Sequence, residues 1–251
     1  MYYHPKQPDK DWLLKCRIEE VLRQHPSYGS PRVALALGRN HKPVERVMKL
    51  YGIKAYRRRG KRWKRAKKIK VVYPNLLMRT APSYPGHIWT ADFTHLNFKS
   101  QVVYIATVLD LYTRRIVGLS VYTSHGVQLV LSAFMNALLQ NPRPAIFHSD
   151  NGSEYNAEVF IEALNTVGAK VSRSAPGCPW ENGYQESFHS QFKVDLGDPG
   201  RFKTLGELVL AIYQTVWQYN NTRIHTALKM PPEQFALQAA SNYTVANKVG
   251  V

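Results

Sequence analysis

His87-Ile-Trp-Thr-Ala-Asp-Phe-Thr-His-Leu-Asn-Phe98, Val102-Val-Tyr-Ile-Ala-Thr-Val-Leu-Asp110 and Arg115-Ile-Val-Gly-Leu-Ser-Val-Tyr122 decide the fold. These three runs are rich in Val, Ile, Thr and Tyr, which fit a pleated, half-buried surface, and short polar turns such as Lys99-Ser100-Gln101 separate them. They predict an antiparallel meander. Downstream the period changes: Val127, Val130, Leu131, Phe134 and Leu138 recur at helical spacing, and Ala145 to Ser149 reads as a short buried strand. Phe160, Leu164 and Val167 mark a helix closed by Gly168, and Ala169 to Ser172 reads as a last strand. Three strands followed by alternating helix and strand predict an α/β protein with a mixed five-stranded sheet flanked by helices. After Ser174-Ala-Pro-Gly-Cys-Pro179 the chain turns helical again, and Thr204 with Glu207 forms a capping box ahead of Leu208, Ile212, Val216 and Tyr219.

Upstream of the meander the pattern is helical in short pieces. Trp12, Leu13, Cys16, Ile18 and Val21 form an apolar stripe, Ser30-Pro31 reads as an N-cap with proline in the first turn, and Pro43 opens a helix that Gly52 can close. Two short helices around a Gly-containing turn fit a helix-turn-helix, although a plain helical hairpin gives the same pattern. Lys54 to Lys70 then carries 11 basic residues in 17 with no acid. Like charges keep such a run from folding on itself, so it reads as a linker; the interleaved Tyr56 and Trp63 favour nucleic-acid contact over mere solubilisation.

The charge of the whole chain follows that division. Its 251 residues include 34 Lys+Arg and 17 Asp+Glu, a formal charge of +17. Residues 1–80 hold 22 basic and 5 acidic side chains and residues 81–251 hold 12 of each, so all the net charge lies in the first third. A hydrophobic fraction of 44% excludes a wholly disordered chain. Cys16 and Cys178 alone cannot make a disulfide framework or a zinc site, which favours a reducing cytoplasm over secretion. Charges interrupt the most apolar region, Val102 to Tyr122, so no membrane span is expected.

Few acids remain to carry chemistry. Asp92 falls mid-strand in Trp89-Thr-Ala-Asp-Phe-Thr94, where aspartate is disfavoured unless it caps or works. Asp150 ends the strand Ala145-Ile-Phe-His-Ser-Asp150, a place for either a functional group or a turn-forming aspartate. On the next helix Tyr184, Phe188 and Phe192 are expected to face the core, with Asn182, Glu186, His189 and Lys193 opposite. Glu181 falls off that face, Glu154 is expected to stabilise its turn, and Asp110 to cap the turn after its strand. His148 and His225 fit either DNA contacts or buried, satisfied histidines.

Asp92, Asp150 and Glu186, with 35 residues between the last two and Lys193 seven beyond the glutamate, resemble the Asp-Asp-35-Glu signature of retroviral integrases and bacterial insertion-sequence transposases. Trp89-Thr-Ala-Asp-Phe-Thr94, His148-Ser-Asp-Asn-Gly-Ser-Glu-Tyr155, Glu181-Asn-Gly-Tyr-Gln-Glu-Ser-Phe188 and Tyr219-Asn-Asn-Thr-Arg-Ile-His225 with Met230-Pro-Pro232 resemble the second-reading-frame protein of two-frame insertion sequences. His25-Pro-Ser-Tyr-Gly-Ser-Pro-Arg32 and Val47-Met-Lys-Leu-Tyr-Gly-Ile-Lys-Ala55 resemble that family's helix-turn-helix region, and Thr113 stands where the family more often has Ser.

The resemblance implies a ribonuclease H-like sheet and a domain plan: 1–53 helical and DNA-binding, 54–83 a basic linker, 84–240 the catalytic core with C-terminal helices, and 241–251 a tail. Three clustered carboxylates repel one another unless protonated or bound to cations, and their oxygens suit Mg²⁺, or Mn²⁺. Two such ions serve in-line displacement at phosphorus, with Asp92 bridging them and Asp150 and Glu186 completing one each. Lys193 and Asn182 would contact DNA beside the site, and Arg57, Arg58, Arg59, Lys61, Arg62, Lys64 and Arg65 would follow its phosphates. The implied partners are double-stranded DNA, as element ends and target, further copies of the chain, and an upstream-frame product supplied by frameshifting. A non-catalytic DNA-binding regulator and a nuclease that only hydrolyses are the competing functions.

Overall fold

The computed structural model describes residues 7–56, 73–175 and 177–249. Its first unit is three helices, α1 (Gln7–Gln24), α2 (Ser30–Ala36) and α3 (His41–Leu50), closed around Leu14, Ile18, Tyr28, Val33, Val44, Val47 and Met48. The buried stripe of α1 differs from the expected one. Asp11, Leu14 and Ile18 point inward, whereas Trp12 and Leu13 are 53% and 65% exposed and Cys16 is also exposed. Asp11 can be buried because Arg46 of α3 grips both its oxygens, at 2.7 and 2.5 Å. Ser30 does not cap α2; its hydroxyl pairs with His41 Nε2 at 2.9 Å and ties α2 to α3. Gly52 takes the left-handed conformation expected of it, at φ 65°.

The second unit is the sheet. The meander strands β1 (Ile88–Phe98), β2 (Gln101–Asp110) and β3 (Ile116–Tyr122) are antiparallel, and β4 (Ile146–Ser149) and β5 (Lys170–Arg173) add in parallel to give the order β3-β2-β1-β4-β5. Strand alternation divides the side chains between two cores. Ile88, Ile105 and Leu109 face α6 (Gly183–Leu196) and α7 (Leu205–Asn221) through Phe188, Phe192, Leu208 and Ile212. Trp89, Val108 and Phe147 face α4 (Val127–Gln140) and α5 (Glu158–Thr166) through Phe134 and Phe160. On β3, Gly118 lets α4 approach until an added Cβ would lie 2.2 Å from the Ala133 carbonyl oxygen. Thr204 caps α7 as expected, accepting from Glu207 N at 3.1 Å, while the Glu207 carboxylate reaches Lys203 N at 2.7 Å.

The last helix, α8 (Pro232–Val249), runs on past residue 240. Beyond the basic run, the chain from residue 73 is anchored to the sheet edge: Pro74 O accepts from Arg173 N at 3.2 Å, and Leu76 N donates to Ser172 Oγ at 2.9 Å. Among the described residues no helix is long and apolar enough to cross a membrane.

Candidate active site

Sheet register brings the first two carboxylates level. β1 and β4 pair from Ile88↔Ile146 to Thr90↔His148, and two further residues along each strand lie Asp92 and Asp150. Adjacent strands run about 4.8 Å apart, so both side chains open onto the same end of the sheet. Asp92 shares the β1 face of Ile88, the face that α6 covers. Its Oδ1 accepts from Phe93 N at 2.8 Å, while Asp150 Oδ1 accepts from Gly152 N at 3.0 Å in an Asx turn. The Asp150 carboxyl is held above the ordinary carboxylate range, first by the protein packed around it and next by the Asp92 charge. Its surface is nevertheless open to solvent, so crowding at the rim rather than full enclosure produces the shift.

Three buried polar side chains seat α6 across β1. Asn182, at the start of the helix, accepts from Thr90 Oγ1 at 2.6 Å and donates to Ala91 O at 3.2 Å. Gln185 donates to Thr90 O at 2.7 Å and Thr107 O at 3.1 Å. His189 meets Thr107 Oγ1 at 3.0 Å and turns Nδ1 to within 3.5 Å of Asp92 Oδ2. Thr107 is the cross-strand partner of Asp92, so Gln185 and His189 bracket that carboxylate from the helix side. Glu186, between them in sequence, is exposed and forms no hydrogen bond with either aspartate.

This packing corrects the expected helix faces. His189 and Asn182 are buried, whereas Tyr184 is 48% exposed and lies under the Arg114 guanidinium at 3.9 Å. Both ends of the Asn182 amide are therefore committed to β1. Lys193, two turns beyond Glu186, is half-buried. The residues Arg57, Arg58, Arg59, Lys61, Arg62, Lys64 and Arg65 lie outside the described residues.

The other acids have structural partners. Glu181 accepts from Asn75 Nδ2 and Ala175 N, both at 2.7 Å, and closes the loop before α6. Asp110 is buried and holds Gly86 N, Tyr112 N and Thr113 Oγ1 at 3.0, 3.0 and 2.9 Å; burial still pushes its carboxyl up. The threonine at 113 thus keeps the hydroxyl that the turn uses. For Glu154, burial raises the carboxyl, but hydrogen bonds from His125 and Ser153, both at 2.9 Å, bring it below its usual range.

Two groups that sequence reasoning missed stand beside Asp150. Arg173, wholly buried at the end of β5, donates to Tyr155 O at 2.6 Å, Asn156 Oδ1 at 3.2 Å and Ser172 O at 3.1 Å, fixing the loop that follows Asp150. Burial brings the Arg173 guanidinium down to about 10, and the Asp150 charge works against that fall. The Tyr155 hydroxyl is buried with no hydrogen-bond partner among the described residues; burial, then the Asp92 and Asp150 charges, raise it far above the usual phenol range. An arginine inside a strand is the one sequence signal that could have pointed to this clamp.

His148, His25 and His225 are each depressed to about 4, chiefly by burial, and nearby arginine charges reinforce the shift. His148 is buried as in one of the two expectations but only half satisfied: Nδ1 lies 2.9 Å from Ser172 Oγ, while Nε2 has no hydrogen-bond partner among the described residues. A depressed histidine stays neutral in the fold but protonates when unfolded below about 6.5, so its stabilisation is present above that pH and is lost as pH falls toward 4. Asp110, Asp150 and Asp195, whose carboxyls are raised, work in the opposite direction. We expect the thermal midpoint to drop between pH 6.5 and 4.5 and the drop to shrink in His148→Asn. A flat profile over that window would contradict the buried neutral histidines.

Sheet order β3-β2-β1-β4-β5, with helices on both faces, defines the ribonuclease H-like integrase-core class. Two family models, both described as integrase core domain, match residues 82–179 and 167–232. The transposase for insertion sequence element IS904 of Lactococcus lactis subsp. lactis (strain IL1403) is 31% identical over 89% of this chain and 92% of its own length. Among solved structures, the HTLV-2 integrase catalytic core in complex with magnesium superposes with a TM-score of 0.51 at 22% identity, covering 61% of this chain and 97% of that one. A simian T-cell lymphotropic virus intasome bound to a PP2A regulatory subunit gives a TM-score of 0.54 at 16% identity, covering 83% of this chain and 70% of that one. The chain belongs to the bacterial insertion-sequence transposases built on an integrase core, a family of polynucleotidyl transferases.

Proposed function

We propose that the protein cuts DNA at the ends of an insertion element and joins the freed 3′ ends to target DNA through Asp92, Asp150 and Glu186. The observation that carries this reading is the paired register of Asp92 and Asp150 at one end of the sheet, with α6 seated over Asp92 by Asn182, Gln185 and His189.

The donor set fits a hard divalent cation: three carboxylates, two of them in mutual repulsion, beside a buried tyrosine hydroxyl that has no partner among the described residues. Among the described residues no three His, Cys, Asp or Glu side chains stand close enough to hold a metal ion as they are, so this reading requires Glu186, exposed on α6, to turn toward the pair. Asp92, Asp150 and Glu186 would hold Mg²⁺, or Mn²⁺, as two ions that lend Lewis acidity to in-line displacement at phosphorus. The rest is done by the chain. Asp92 has His189 of α6 3.5 Å away, while Asp150 is held by its Asx turn and the loop behind Asp150 by Arg173. Lys193 and the basic residues from Arg57 to Arg65 contact DNA, whereas Asn182 serves it indirectly, by fixing α6. Copies of the chain assemble on DNA, and the protein works in the cytoplasm.

Incubation with element-end DNA in Mg²⁺ is expected to give both nicked and joined products, and EDTA to remove both. Nicks without joined products would mark a nuclease, and DNA binding without either product would mark a regulator.

A further inference from the structure

A groove of about 440 Å³ runs between the helical unit and α6, with Arg32 and Tyr56 on one wall and Ser190, Gln191 and Val194 on the other. Next to it meet two sequence motifs whose role the chemistry above leaves unassigned. Tyr28, from His25-Pro-Ser-Tyr-Gly, accepts from Ile224 N at 2.6 Å; Arg223, from Tyr219-Asn-Asn-Thr-Arg-Ile-His, reaches Ser27 Oγ at 2.8 Å and pairs with Asp195 of α6. The groove is therefore a fixed feature with a wall from each unit.

We propose that this groove holds the sugar-phosphate backbone of the DNA strand that enters the carboxylate site, a proposal that rests on the function above. Position is the first reason. Glu186, Ser190 and Val194 succeed one another at four-residue steps on one side of α6, so the groove begins about 6 Å and ends about 12 Å along the helix from Glu186. At about 3.4 Å of rise per nucleotide, that is roughly two to four nucleotides from the scissile phosphate. Chemistry is the second. Among the described residues that line it none is acidic; Ser27, Gln191 and Thr226 are already engaged by Arg223 and Arg32, so Ser190 offers a hydroxyl and Arg32 supplies the charge. Arg32 Nε is fixed on Thr226 Oγ1 at 2.9 Å, while its Nη groups have no hydrogen-bond partner among the described residues. Burial and the Arg223 charge both work against the Arg32 guanidinium, and a phosphate in the groove would relieve both. Continuity is the third: Tyr56, on the rim, is followed directly in sequence by Arg57-Arg58-Arg59.

The test fills the groove. Ser190 is exposed on α6, so Ser190→Trp adds bulk without opening a cavity, and Val159→Trp on α5, across the sheet, controls for bulk alone. Binding of pre-cut element-end DNA in Ca²⁺, which needs no catalysis, is expected to weaken at least tenfold in Ser190→Trp and to change less than twofold in Val159→Trp, with both thermal midpoints near the parent. A photo-crosslinking amino acid at position 190 is expected to label the strand two to four nucleotides from the cut end. Parent-like affinity in Ser190→Trp, or labelling only elsewhere, would overturn the groove. Loss of the functional reading itself would show differently, as DNA cleavage that survives in Glu186→Gln.

Discussion

Asp92→Asn, Asp150→Asn and Glu186→Gln should each lower DNA cleavage and joining by about a thousandfold or more, equivalent to about 4 kcal/mol in the barrier. Each change keeps shape and removes one anionic oxygen ligand, so the loss should appear in the chemical step and not in folding. Asp150 makes the sharpest case. Its carboxylate is held at a cost in the unbound protein, because the surrounding protein and Asp92 both disfavour its charge. Asp150→Asn relieves that repulsion, and its amide oxygen can still accept from Gly152 N. The variant should therefore melt at or above the parent temperature while being inactive. A merely structural aspartate would show the reverse, a lower melting point with activity retained in the folded fraction. Isothermal titration with Mn²⁺ supplies a second readout, since each substitution should weaken metal binding independently of any DNA. Cleavage within tenfold of the parent in any one of the three would remove that residue from the site.

The sheet was legible because its strands announce themselves twice: β-branched runs give their existence, and alternation gives their faces. Ile88 and Trp89 go to opposite cores as a period of two requires. Asp92 and Asp150 were legible as anomalies, acids in or at the end of strands. The helices were read less well, and for one physical reason. Apolarity alone points a side chain inward, yet α6 crosses the sheet where strand carbonyls and Thr107 need partners, so Gln185 and His189 face in and Tyr184 faces out. The stripe of α1 differs for the same reason: Asp11 is buried by virtue of Arg46, a partner 35 residues away that no local pattern reveals. Arg173 was missed likewise, because its acceptors Tyr155 O and Asn156 Oδ1 belong to another loop.

Arg223→Met should cost about 3–5 kcal/mol of stability and uncouple the helical unit from the sheet, the second large effect expected. Arg223 is 2% exposed at the joint and meets Asp195, Ser27 Oγ and, at 2.7 Å, Gln191 Oε1. Its loss would strand the Asp195 carboxylate, which burial already pushes up and which the Arg223 charge chiefly restrains. An unpaired buried charge is far costlier than a missing pair. Arg223→Met with Asp195→Leu should accordingly recover much of the stability lost in Arg223→Met alone, and a double-mutant cycle by denaturant unfolding measures the coupling. A cost below 1 kcal/mol in the single variant would mean that solvent already screens the pair. The double variant also separates two demands on the joint. Packing of Tyr28 against the 223–225 segment can hold the units together, but the hydrogen bonds to Ser27 and Gln191 set the walls of the groove. If the groove guides DNA into the carboxylates, a restored fold with these bonds gone should bind element-end DNA more weakly than the parent. Parent-like affinity there would mean that apolar packing alone sets the groove's width.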